Sequence, residues 1–121
     1  MTAEELLQRY AAGERDFNRV DLEGVDLSGA DLSGTELFEA NLSGANLSRA
    51  NLSNAGLGSA RLIGANLEGA NVNNAHIVGT NFENANLRGA IGSFGHSNSA
   101  FLHNTIWMTG EIVVGPEYID A

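Results

Sequence analysis

Residues 40–44 read Ala-Asn-Leu-Ser-Gly, and this AxLxx unit recurs in unbroken register from residue 15 to residue 89. Its apolar centre falls at Phe17, Leu22, Leu27, Leu32, Leu37, Leu42, Leu47, Leu52, Leu57, Leu62, Leu67, Val72, Ile77, Phe82 and Leu87, fifteen positions each five apart. With that centre as position 0, position −2 is alanine in most units and position −1 is most often Asp or Asn.

The period decides the architecture. Five residues advance an α-helix by about 500°, which would smear the apolar column around every side. A straight strand would send alternate centres to opposite faces. All fifteen stay inside if each unit is a short extended piece followed by a corner, with positions −2 and 0 inward and −1 outward. Position +2 supplies the corner. It is glycine in eight units (Gly24, Gly29, Gly34, Gly44, Gly64, Gly69, Gly79, Gly89) and Asn, Ser, Glu or Arg in the rest. Glycine and asparagine tolerate turn dihedrals. Four right-angle corners close a square coil of twenty residues, so the fifteen units make roughly 3.75 coils, stacked at about 4.8 Å into a column roughly 18 Å tall. Alanine at −2 follows from the narrow bore, which cannot hold two large side chains per side.

These units resemble the pentapeptide-repeat family, whose consensus is A(D/N)LXX, over residues 15–90. The opening Leu6-Leu7, Tyr10, Gly13 and Phe17 is similar to the cap of small cyanobacterial members. Asn104-Thr105-Ile106 with Gly110 is similar to the family's NTxxPDG ending, with Met108-Thr109 in place of Pro-Asp. The resemblance implies an all-β solenoid: a right-handed quadrilateral β-helix of about four coils with a short N-terminal capping α-helix. It also implies a non-catalytic structural or protein-interaction module. Some members resemble B-DNA in shape and charge, bind DNA gyrase and so affect quinolone resistance, which supplies the alternative function.

The 121 residues are read as one domain, with an N-terminal helical cap over 1–13, the repeat over 14–90, and a loop with a C-terminal hairpin cap over 91–121. Thr2 with Glu5 three residues later is a capping-box pattern, and Leu6, Leu7, Tyr10 and Ala11 fall at helical spacing before Gly13. A cap is expected there because a solenoid's terminal coil leaves core and strand edges open. After Ala90 the register is expected to fail. Ile91 to Ser99 reads as a Gly/Ser-rich loop, and Phe101 and Ile106 as centres of one or two degenerate units. Ile106-Trp107 and Ile112-Val113-Val114 flank a turn and predict a hairpin. Phe94, Phe101, Trp107 and Ile112 are expected to cover the far end of the core, and the tail from Gly115 to be loosely held.

The net charge of −9 argues against nucleic acid or an anionic membrane as direct partners. There is no cysteine, no apolar run long enough to span a bilayer, and no basic-then-apolar leader, so a cytoplasmic location is expected. The acidity is one-sided. Residues 14–39 hold eight carboxylates against Arg15 and Arg19, whereas residues 40–90 hold only Glu68 and Glu83 against Arg49, Arg61 and Arg88.

Asp16, Asp21, Asp26 and Asp31, the acidic first coil, occupy position −1 of four successive units and should leave four different faces. They cannot converge on a metal or flank one bond. Each is expected to accept a hydrogen bond from its own turn, and Asp26 to lie below an amide ladder of Asn46, Asn66 and Asn86. His76, His96 and His103 show no metal-ligand spacing. No catalytic residue, metal site or cofactor is expected, since a bore filled by Ala and Leu offers no cleft. Phe38, Ile63 and Val78 depart from the pattern: they place apolar groups at position +1, which should face solvent. They mark a possible partner surface. The expected partner is another protein, and the chain itself is expected to be a monomer, weak self-association being the alternative.

Overall fold

The computed structural model describes residues 1–120, and in it the chain stacks on itself every twenty residues. Parallel bridges join position −1 residues in four columns. These are Asp16–Glu36–Gly56–His76, Asp21–Asn41–Arg61–Asn81–Phe101, Asp26–Asn46–Asn66–Asn86–Ile106 and Asp31–Asn51–Asn71–Ile91. The backbone bonds that make them are regular. Leu42 N–H donates to Arg61 O at 2.7 Å, and Asn41 N–H donates to Val20 O at 2.9 Å. At the corners the −2 amide returns to the centre carbonyl three residues back, as from Ala45 to Leu42 O at 3.1 Å.

Every one of the fifteen +2 residues has positive φ, between 54° and 72°, including Arg19, Glu39, Arg49, Asn54, Ser59, Asn74 and Asn84. A positive φ at the third residue of an i→i+3 bonded turn is the requirement of a type II turn. One corner geometry is therefore used throughout, and glycine is its unstrained occupant. The extended pieces point the centres inward, and from Phe17 to Leu87 none is more than 2% exposed. Alanine lines the bore beside them. Where threonine replaces it, the hydroxyl bonds a core-facing carbonyl: Thr35 Oγ1 to Leu32 O at 2.7 Å, Thr80 Oγ1 to Leu57 O at 2.6 Å and Thr105 Oγ1 to Phe82 O at 2.8 Å.

Helix α1 (Ala3–Ala11) closes the lower end. Thr2 caps it by accepting Glu5 N–H at 3.1 Å. Ala3, Leu6 and Tyr10 make its inner stripe, and Leu6 is fully buried. Leu7 is 38% exposed and Ala11 is exposed, so the broader face expected of Leu6, Leu7, Tyr10 and Ala11 is corrected to a narrower one. Successive helical residues diverge by about 100°, and a bore this slim accepts one stripe. Tyr10 Oη donates to Ser33 O at 2.8 Å, and the N-terminal ammonium donates to Asp21 O at 3.1 Å.

At the upper end the structure corrects the expected loss of register. The ladder continues through Val72 N to Ile91 O at 2.9 Å, Ile77 N to His96 O at 2.7 Å, Phe82 N to Phe101 O at 2.9 Å and Leu87 N to Ile106 O at 2.8 Å. The hydrophobic rhythm lapses because Gly92 and Ser97 hold the centre positions, and the backbone keeps count except at the corner after Gly92, where Gly95 N–H rather than His96 N–H donates to Ala75 O, at 2.9 Å. Leu102 and Trp107 are the next centres, and Phe101 and Ile106 sit at −1, one residue from the expected assignment. Phe94 packs against the core, with its ring centroid 6.4 Å from Phe82 and 5.8 Å from Trp107.

Four short strands finish this end: β1 (Phe101–Leu102), β2 (Thr105–Ile106), β3 (Ile112–Val113) and β4 (Glu117–Tyr118). The predicted hairpin is present as antiparallel β2 and β3, with Ile106 opposite Ile112. Over its described residues, 115–120, the tail is not loose. Strand β4 pairs antiparallel with β1, and Ile119 N–H donates to Ala100 O at 2.9 Å. Strands β1 and β2 end their columns, and an uncovered edge would template association with another chain. Phe94 and Trp107 pack on the core as expected, but Ile112 is 64% exposed and Phe101 instead meets Tyr118, with centroids 5.1 Å apart.

Candidate functional site

The four aspartates stand at the feet of four separate columns, facing four ways. Each spends its Oδ1 on its own corner. Asp16 accepts Asn18 N–H, Asp21 accepts Glu23 N–H and Asp31 accepts Ser33 N–H, all at 3.1 Å, and Asp26 accepts Ser28 N–H at 3.0 Å. Asn41, Asn46, Asn51, Asn66, Asn71, Asn81 and Asn86 make the same bond. These donors hold Asp26 and Asp31 below the ordinary aspartate pKa, the backbone amide of Ser28 or Ser33 being the main cause. The amide ladder expected above Asp26 is corrected. Asn46, Asn66 and Asn86 stack through backbone bridges, and their side chains are turned to their own corners rather than to one another. Among the described residues no three His, Asp or Glu side chains converge as metal ligands.

The hydrophobic departures at +1 divide between two faces. Phe38 is 42% exposed and Val78 43% exposed, and both lie in the column Asn18, Phe38, Gly58, Val78. Ile63 is half-buried and faces the neighbouring side, outside their groove. Between Phe38 and Val78 the unit Ala55–Ser59 carries glycine at both outward positions, Gly56 and Gly58. One layer of side chains is missing, which leaves a notch of about 390 Å³. Its floor is the Gly56–Gly58 backbone. Glu36 and Phe38 form the lower wall, and His76 and Val78 the upper. Sequence reasoning singled out Phe38 and Val78 but missed the two glycines and His76. The available signal was the double glycine at −1 and +1 of one unit.

Charge surrounds this notch unevenly. Arg19 pairs with Glu39 at 3.2 Å, and its guanidinium carbon lies 5.6 Å from the Phe38 ring centroid. Glu36 has no ion-pair partner among the described residues. The imidazoles of His76 and His96 stack with centroids 5.0 Å apart, and His96 N–H points to His76 Nδ1 at 3.4 Å. A second recess, about 550 Å³, lies on another face between Arg49, Glu68 and Arg88. There the charges alternate, and no large apolar side chain lines the recess.

A stack of five-residue units, filled within and carrying its variation on the outside, defines a tandem-repeat module that offers surfaces rather than clefts. The chain belongs to the pentapeptide-repeat family: the model for pentapeptide repeats matches in eight copies over residues 16–54 and 56–91. No curated protein matches it by sequence. Among solved structures it is similar to HetL, a pentapeptide repeat protein involved in heterocyst differentiation regulation in the cyanobacterium Nostoc sp. strain PCC 7120. The identity is 38% over 81% of this chain and 43% of that one, with a TM-score of 0.50. It is also similar to the plasmid-mediated fluoroquinolone resistance protein QnrB1, at 30% identity over 63% of this chain and 38% of that one, with a TM-score of 0.60. A second Nostoc pentapeptide repeat protein, alr5209, is 39% identical over 74% of this chain and 78% of its own length, with a TM-score of 0.46. The chain thus spans less than half the length of HetL or QnrB1.

Proposed function

We propose that this chain is a non-catalytic protein-interaction module whose contact surface is the face bearing Phe38, Gly58 and Val78. The observation that carries this reading is the notch: two exposed apolar side chains flank a glycine floor within a polar surround. Apolar surface rimmed by polar groups is a mark of a contact site. We infer that the coil is right-handed and four-sided, with about four turns over the regular units. Four columns of bridges at twenty-residue spacing support the four sides, and the handedness rests on the family resemblance. We read the chain as one domain, with residues 1–13 as its lower cap and strands β3 and β4 covering the upper end of a coil that runs on past residue 91. HetL's involvement in regulation is compatible with a module that acts by contact.

The test is affinity capture from a lysate of the source organism, comparing wild type with Phe38→Ser/Val78→Ser and with Ile63→Ser on the neighbouring face. Loss of a partner in the first variant alone is expected. Identical recovery by all three proteins would reject this face as the contact surface.

The alternative reading is a DNA mimic that binds gyrase, as the family resemblance allows. Similarity to QnrB1, a fluoroquinolone resistance protein, favours it. Against it, the acidity is concentrated at one end, and Arg49, Arg61 and Arg88 interrupt the rest. Its measure is gyrase supercoiling with and without a fluoroquinolone: no change at micromolar protein removes this reading.

A further inference from the structure

The notched face reads nearly the same in both directions along the stack. Its −1 column runs Glu36, Gly56, His76 and its +1 column runs Phe38, Gly58, Val78, both centred on one unit. One turn further out, Asp16 lies beyond the acid and His96 beyond the imidazole. A two-fold axis lying across the face at that unit, perpendicular to the stack, turns each column end for end and sets it opposite its own copy. Phe38 of one copy then meets Val78 of the other, Glu36 meets His76, and the two glycine floors meet at the axis. An axis along the stack would instead put Glu36 against Phe38 and His76 against Val78, pairing polar groups with hydrocarbon.

We propose that this face is an isologous, antiparallel contact between two copies of the chain. The inference rests on the reading of this face as a contact surface and names its occupant. Three observations favour a second copy over an unrelated chain. Glu36, whose carboxylate lines the notch and makes no ion pair among the described residues, is placed by symmetry opposite an N–H donor, His76. The apolar groups are equidistant in turns from the centre, so each buries the other. The centre is open at Gly56, where a Cβ would meet nothing nearer than 4.0 Å, while the Phe38 ring leans over Gly58, so the copies approach closely along the Gly56 side. A single face of so short a column buries less than about 1,200 Å² in total, the range of transient contacts, and a weak dimer is therefore expected.

Sedimentation equilibrium of the full chain from about 5 μM to about 500 μM is suited to so weak a dimer. Wild type is expected to pass from monomer to dimer. Gly56→Arg blocks the axis, and the fold accommodates it: a Cβ there meets nothing nearer than 4.0 Å, and Arg61 already occupies the equivalent position one unit on. Its dissociation constant is expected to rise at least tenfold, with an unchanged far-ultraviolet circular dichroism spectrum. Glu36→His and His76→Glu should each weaken the dimer, and the double variant, in which acid and imidazole change places, should restore it. A wild type monomeric throughout, or a dimer indifferent to Gly56→Arg and to the exchange, overturns the proposal. If wild type is monomeric yet the Phe38→Ser/Val78→Ser variant loses a captured protein, self-pairing falls and the contact-surface reading stands. If neither association nor capture depends on this face, both fall.

Discussion

The Phe38 ring leans onto Gly58, with its Cδ2 3.3 Å from where a Cβ on that glycine would stand. The ring therefore rests on the outside of the coil, not in it. Phe38→Ser should change folding stability by no more than about 1 kcal/mol, as for an ordinary surface substitution. Leu57, the neighbour of Gly58, is 1% exposed, and Leu57→Ala should cost about 2–5 kcal/mol through the cavity it leaves. Urea unfolding of the two variants beside wild type checks the contrast. A comparable loss in both would mean that Phe38 is part of the core and not a surface anchor.

The corners give a conformational test free of packing. Gly64 has φ of +67°, and a Cβ there meets nothing within 4 Å. Gly64→Ala should therefore cost about 1–2 kcal/mol from the left-handed backbone alone. Glu39 already bears that strain at φ 58°. Glu39→Gly should stabilise by a few tenths to about 1 kcal/mol, relief of strain outweighing the added freedom of the unfolded chain. Thermal melts of both variants measure the two signs, and a destabilised Glu39→Gly would indicate that its pair with Arg19 outweighs the backbone term.

The regular coil could be read from the sequence because a single geometric rule, one corner per five residues, governs every unit from Phe17 to Leu87. The same reliance on apolar centres hid the continuation past Ala90. Gly92 and Ser97 remove the hydrophobic signal, but Ile77 and Leu87 still bond to carbonyls nineteen residues on. The backbone counts by hydrogen bonds, which composition does not display. The pairing of β4 with β1 escaped for a related reason: its value lies in covering an edge that exists only once the coil has been built. Phe38 and Val78 were visible as departures at +1. The notch was not, because it consists of side chains that Gly56 and Gly58 lack.

Acid should loosen the first turn in a definable way. Asp26 and Asp31 have their folded pKa values lowered by corner hydrogen bonds, so their stabilising contribution is present above the ordinary aspartate value of 3.8 and is lost as pH falls through the lower folded values. Stability should therefore be insensitive to these two groups above about pH 5 and decline below about pH 4. Asp26→Asn/Asp31→Asn keeps the turn bond, as Asn46 and Asn51 do one turn above, but cannot titrate. Urea midpoints between pH 3 and 7 should show a shallower acid decline in the double variant. Superimposable profiles would assign the acid sensitivity to other carboxylates.

The C-terminal strand offers a local test of edge protection. Ser99 N–H donates to Ile119 O at 2.7 Å, whereas Phe101 N–H donates inward to Thr80 O at 2.8 Å. Truncation after Val114 removes the first acceptor and leaves the second in place. Amide hydrogen exchange should then accelerate at Ser99 by at least tenfold while Phe101 remains protected, since local exchange follows the loss of a particular bond rather than global unfolding. The bared edge of β1 should also make the truncated chain prone to association at high concentration. Equal acceleration at both amides would show that β4 stabilises the whole upper turn and does not merely cover its edge. Unchanged exchange at Ser99 would show that the tail contributes no protection there.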